Sequence, residues 1–142
     1  MSHLNWKRIL LGGLLAGLVL NLLSMGGVHL FLADQMHSLH HRLQLDQDRS
    51  FHANLLKHLG MHFALGLILV WFYAAIRPRF GPGPRTALIA STAVWLLAYG
   101  LFLSAMVFLQ LFSTHIALLT LLWGFFETLA ASLAGAWLYR EP

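Results

Sequence analysis

At 142 residues the chain is one domain by length, yet 58% of it is hydrophobic and only 10% is charged. Soluble domains carry roughly a quarter charged residues, and a globule this small needs more polar cover, which excludes a soluble fold. The +4 formal charge comes from Lys and Arg beside apolar runs, so it speaks for topology and anionic headgroups, not nucleic acid, and the lack of cysteine removes disulfides, thiolate metal sites and covalent haem.

Lys7-Arg8 precede a first apolar run, 9–33, of about 25 residues, enough to cross roughly 30 Å of hydrocarbon. A basic start before an apolar core also suits a signal peptide, but no small-x-small cleavage site follows, so the run is expected to stay as a first helix. An outer histidine-rich hairpin, 34–58, comes next. Leu39, Leu43, Phe51, Leu55, Leu56 and Leu59 keep helical spacing through it, with Asp46-Gln47-Asp48-Arg49-Ser50 as its polar turn. The second membrane run is 59–76. An inner loop, 77–86, separates it from the third run, 87–112, and Ser113-Thr114-His115 joins that to the fourth, 116–139. In lipid only helices or closed barrels satisfy the backbone, and continuous apolar runs without alternation exclude a barrel. The expected fold is all-α: a four-transmembrane-helix antiparallel bundle with an extended outer hairpin between helices 1 and 2.

The stretch Arg77-Pro78-Arg79-Phe80-Gly81-Pro82-Gly83-Pro84-Arg85 fixes the orientation. Proline withholds an N–H and disfavours helix in the residue before it, so helices are expected to stop on both sides. Arg77, Arg79 and Arg85 make translocation of this loop costly. Lys7, Arg8 and Arg140 fall on the same side, against Arg42, Arg49 and Lys57 on the other, which places both termini in the cytoplasm. Trp6, Trp71/Tyr73 and Trp137/Tyr139 supply an aromatic belt at the inner edge.

Around this loop the chain resembles an uncharacterised family of small bacterial four-helix membrane proteins with a Tyr-Ala-x-x-Arg-Pro-Arg-Phe-Gly-x-Gly-Pro loop. Here it reads Tyr73-Ala74-Ala75-Ile76-Arg77-Pro78-Arg79-Phe80-Gly81-Pro82-Gly83-Pro84. The likeness extends to Trp6-Lys7-Arg8 and to Ala134-Gly135-Ala136-Trp137-Leu138-Tyr139. It implies a four-helix fold in the bacterial inner membrane and brings no activity with it. The histidine-rich segment lies outside the resemblance.

Within the membrane, Gly13, Gly17, Asn21 and Ser24 line one face of the first helix, and Gly124, Thr128, Ala131 and Gly135 one face of the fourth. Counting about 1.5 Å per residue puts Asn21, Tyr99 and Glu127 all about 18 Å deep. As the first and fourth helices of such a bundle are neighbours, Glu127 is expected to meet Asn21, with Tyr99 adding a bond. A charge at that depth costs a few kcal/mol. The group therefore serves either a neutral structural pair or a proton step in a small transporter.

Seven of the nine histidines lie between His29 and His62: His29, His37, His40, His41, His52, His58 and His62. His37/His41 and His58/His62 are four apart, the spacing for chelation from one helix. A turn near Gln47 would set His29 against His62, His37 against His58 and His41 against His52, with His115 approaching from the short outer connection. Imidazoles suit transition metals such as Zn or Cu. Met25, Met36 and Met61 add softness towards Cu(I), Asp34 suits a ligand or an orienting group, and a bis-His pair suits haem b. The competing readings are an interfacial surface that binds nothing and a pH-sensing one.

No nucleophile–base pair, phosphate-binding glycine loop or paired carboxylate is present, so an enzyme is not expected. The leading expectation is an accessory or structural subunit of a larger membrane complex, its partners being the lipid bilayer and other membrane subunits or further copies. Metal or haem binding and proton-coupled transport are the alternatives. Orientation is directly testable in this cysteine-free chain. Pro82→Cys should resist an impermeant maleimide on intact cells and react after lysis, whereas Ser50→Cys should react in both; the opposite pattern inverts the topology.

Overall fold

The computed structural model describes residues 4–27, 29–30, 33–42 and 47–139. Its helices are α1 (Trp6–Gly27), α2 (Ala33–Arg42), α3 (Gln47–Phe80), α4 (Pro84–Trp95), α5 (Leu101–Phe108) and α6 (Thr114–Leu138). A π-helical turn, Leu96–Gly100, joins α4 to α5, so these three form one span. Among the described residues, four stretches are long and apolar enough to cross a membrane: Trp6–Gly27, Asn54–Phe80, Pro84–Phe108 and Thr114–Leu138.

The four spans form a ring in which α1 touches α3 and α6, and α4 touches the same two from the other side. In lipid, apolar surface gains little from leaving one apolar medium for another, so association needs close backbone approach and polar bonds. Helix α1 meets its neighbours through two glycine stripes. A Cβ on Gly13 or Gly17 would stand 2.8 Å from the Cα of Leu67 or Phe63 of α3. From the other side, a Cβ on Gly66 would run into the backbone of Gly13 and Gly17. About 100° around α1, a Cβ on Gly12 would lie 2.8 Å from the Gly135 carbonyl oxygen of α6. Leu20, Leu69, Val70, Tyr73 and Ala74 fill the core beside these contacts.

Several boundaries differ from those expected. Helix α3 is 34 residues long and carries Arg77, Pro78 and Arg79 in its last turn. Pro78 removes only the bond to the carbonyl four residues back, and Gly81 N–H still closes on the Arg77 carbonyl at 2.8 Å. Glycines end the helix instead: Gly81 and Gly83 take φ of +81° and +129°, a region that side chains disfavour. Pro84 then opens α4 at its first turn, where a missing N–H costs nothing. Gln47–Ser50, assigned by sequence to the outer polar turn, already belong to α3, and Asp46 lies outside the described residues. At about 51 Å, α3 outreaches a hydrocarbon core of roughly 30 Å.

The first span is described continuously to Gly27, residues 29–30 beyond it are also helical, and 28, 31 and 32 lie outside the described residues; the third span ends at Phe108, short of Phe112. Ser113 is the N-cap of α6, its hydroxyl accepting from Ile116 N–H at 3.3 Å, so Thr114 and His115 sit in the first turn of the helix. Arg140, counted for topology, lies outside the described residues.

The glycine contacts predict opposite outcomes for one mutation at two sites. Gly66→Ala should cost about 1–3 kcal/mol through overpacking. Gly60, with nothing within 4 Å of an added Cβ, should gain up to about 1 kcal/mol from the same change. Unfolding of the detergent-purified variants in SDS checks both.

Candidate functional site

The polar side chains buried among these helices fall into two groups on different seams. The first lies between α4–α5 and α6. Tyr99, within the π-helical turn, packs its ring on Gly124, where a Cβ would stand 2.6 Å from the ring. Its hydroxyl donates to Glu127 Oε2 at 3.0 Å. Trp123, one turn earlier on α6, reaches the Leu23 carbonyl of α1 with its indole N–H at 3.2 Å. Glu127 is 3% exposed.

A glycine is needed at 124 because the Tyr99 ring occupies the place of a side chain. The π-helical turn holds more residues per turn than an α-helix and so rotates everything beyond it. Before it, Thr86, Ala87, Ala90, Ser91 and Val94 face the core; after it only Leu103 of α5 is buried.

The second group lies on the α1–α3 seam. His58 Nε2 and Ser24 Oγ are 3.3 Å apart. The His58 and His62 rings stand edge to face at 4.2 Å between centroids. His62 Nδ1–H donates to the His58 carbonyl at 3.1 Å, which leaves the lone pair of the neutral ring on Nε2. Asn21, 4% exposed, occupies the same side of α1. Its Nδ2 donates to the Gly17 carbonyl at 2.8 Å, and its Oδ1 is buried without a hydrogen-bond partner.

The expected meeting of Asn21 with Glu127 therefore does not occur, while Tyr99 does reach Glu127. The depths agree: Gly12 faces Gly135 and Gly27 faces Trp123, which brackets Asn21 and Glu127 at one level. The azimuth does not. Asn21 is nine residues from Gly12, half a turn out of phase at about 100° per residue. Its stripe, with Gly13, Gly17 and Ser24, is turned to α3.

The histidines separate likewise. His58 and His62 sit side by side, whereas His29, His37, His41 and His115 are exposed. The side chains of His40, His52 and Met36 lie outside the described residues. Among the described residues no group of three or more His, Cys, Asp or Glu is arranged to hold a metal ion. Arg79 and Arg85 are exposed at the α3–α4 turn, while Arg77 lies over the Tyr139 ring, 5.6 Å from its centroid.

Three polar ties had not been singled out from sequence. Trp95 Nε1 donates to the Leu121 carbonyl at 2.9 Å, Trp123 Nε1 to Leu23, and Ser132 Oγ to the Ala87 carbonyl at 2.9 Å. A tryptophan well inside a span, away from the interface, was the available signal, because its N–H must find an acceptor there.

Comparison with protein-family models, curated proteins and solved structures gives no match for this chain.

Two double-mutant cycles distinguish the seams. Tyr99→Phe and Glu127→Gln should couple by about 0.6–1.7 kcal/mol, the range for hydrogen bonds between membrane helices. Asn21→Ala and Glu127→Gln, on separate seams, should add within about 0.5 kcal/mol. Unfolding free energies in detergent provide both.

Proposed function

We propose that this chain is a non-enzymatic accessory subunit of a larger complex in the bacterial inner membrane, with both termini cytoplasmic. One observation carries the reading: the polar side chains between the spans are mostly committed to this chain's own groups. Trp95, Trp123 and Ser132 bond to backbone carbonyls of neighbouring helices. Thr128 bonds back to Gly124 of its own helix at 2.8 Å. Glu127, the one carboxyl deep in a span, is held by the Tyr99 hydroxyl. A carboxyl tied to a hydroxyl of the neighbouring span suits fixing of helix register better than handing on a proton, and a transport path would need further ionisable groups along it.

What such a molecule offers its surroundings is apolar shape. Phe102, Phe108 and Leu118 are more than half exposed on the outer parts of the third and fourth spans, as is Leu109 just past the third. The π-helical turn sets α5 apart from the core. A partner span laid against this region would meet a surface that has little packing of its own. The cytoplasmic placement of the termini rests on the Lys/Arg count.

Extraction from native membranes in mild detergent tests the proposal. The chain should migrate within a stoichiometric assembly several times its own 15.9 kDa, and Phe102→Ala with Phe108→Ala should release it while leaving the bundle folded. A solitary, monodisperse chain would overturn the reading.

A further inference from the structure

We infer that His58 and His62 of α3, with Ser24 and Asn21 on the facing side of α1, form a site for one monovalent copper ion. Four-residue spacing puts both rings on one face of α3, the arrangement for chelation from a single helix. They stand edge to face, 4.2 Å between centroids. A carbonyl can only accept, so the contact of His62 Nδ1 with the His58 carbonyl at 3.1 Å puts the hydrogen of the neutral ring on Nδ1. Backbone carbonyls orient metal-binding imidazoles in this way and leave the Nε2 lone pair for the ion.

Helix α1 supplies the oxygen donors. The two spans run antiparallel, with Ser24 opposite His58 and Gly17 opposite Phe63. Asn21 lies between those levels, one turn further into the bundle than Ser24, as His62 is one turn further in than His58. It is 4% exposed, and its Oδ1 is buried without a hydrogen-bond partner. An acceptor left unpaired in an apolar seam is costly, and a cation between it and the imidazoles removes the cost. The distance from Ser24 Oγ to His58 Nε2, 3.3 Å, exceeds the usual hydrogen-bond limit of about 3.2 Å. It falls instead where two donors on one ion belong, since bonds of about 2.0–2.1 Å set ligand atoms roughly 3.3–3.6 Å apart.

The ligands select the charge of the ion. All four groups are neutral, and His62, Asn21 and Ser24 are buried, so nothing in the set offsets the charge they would hold. The cost of burying an ion grows as the square of its charge, which sets a divalent ion about fourfold above a monovalent one. Imidazole suits copper, and Cu(I) accepts two or three ligands where zinc takes four. Among the described residues no third His, Cys, Asp or Glu joins the pair, a lack that counts against zinc and not against Cu(I). Met25 and Met61 are exposed, so the site offers nitrogen and oxygen rather than sulfur. His58 is half-buried, at the end of the bundle away from the α3–α4 turn, and gives the ion its way in.

The test uses the full chain, purified free of metal in a neutral detergent and titrated anaerobically with Cu(I) held by bicinchoninate. The parent should withdraw one Cu(I) per chain, read as loss of the chelate's colour. His58→Gln and His62→Gln should each weaken binding at least about tenfold, since even the partners that orient a ligand cost about 10–100-fold. Ser24→Ala should weaken it less than either. His37→Gln combined with His41→Gln, at the same spacing on the exposed face of α2, should leave it unchanged. X-ray absorption of the loaded chain should show nitrogen or oxygen neighbours and no sulfur. Elution volumes matching the parent certify folding; should His62→Gln fail that check, His58→Gln, at a half-buried ring, carries the test. Equal losses from the His37/His41 variant would reduce the binding to exposed imidazoles and overturn the proposal. Sulfur neighbours would also overturn it, by moving the ion to the methionines. Retention of Zn(II) in preference to Cu(I), or no Cu(I) withdrawn by the parent, would overturn it as well, leaving the seam to a divalent ion or to water and protons.

Discussion

Close approach of α1 to two neighbours at once is the constraint on which the bundle depends. Spans already surrounded by hydrocarbon gain little by exchanging lipid for protein, so contact must come from dispersion at short range and from polar bonds. Glycine makes short range possible. Gly13 and Gly17 admit α3, and Gly12 admits α6 at Gly135. Because the two stripes are about a quarter-turn apart, α1 fits into the angle between α3 and α6 and fixes it. Val70 completes the corner, since a Cβ on Gly12 would stand 3.2 Å from its Cγ1. The arrangement leaves α4 and the π-helical turn to close the ring against α6, through Trp95 and Tyr99 from one side and Ser132 of α6 from the other.

This division explains where the polar side chains are used. A hydrogen bond between membrane helices is worth about 0.6 kcal/mol on average, too little to assemble a bundle but enough to choose among registers. The α4–α6 seam has three such bonds spread along its length, from Ser132 with Ala87 through Tyr99 with Glu127 to Trp95 with Leu121. Sliding one helix by a turn would break all three together. On the α1–α3 seam the glycines already fix the register. There Asn21 can turn its amide back to Gly17 and leave Oδ1 unpaired, a cost that the surrounding contacts absorb.

The number of spans and the depth of each polar residue were legible because they follow from run length and a constant rise per residue. Azimuth was not. Gly12 and Gly13 are adjacent in sequence yet address different helices, and the small residues alone do not say which stripe meets which neighbour. The loop gave a similar lesson. Its three prolines looked like the helix breakers, but Pro78 sits comfortably in a last turn, Pro84 starts a helix, and positive φ at Gly81 and Gly83 makes the break. The π-helical turn at Leu96–Gly100 has no compositional mark, since one extra residue per turn changes geometry and not chemistry. Among the histidines, fourfold spacing was enough to pair His58 with His62 on one helix, but it carried no information about the exposed His37 and His41.

The arginines at the end with both termini show how one residue type serves orientation and structure together. A cation beside the last turn of a helix offsets the partial negative charge of its carbonyls. Arg8 reaches the Leu138 carbonyl from α1 at 3.5 Å, and Arg77 lies on the Tyr139 ring from α3. The end of α6 is thus gripped from two neighbours by groups that also resist crossing the membrane.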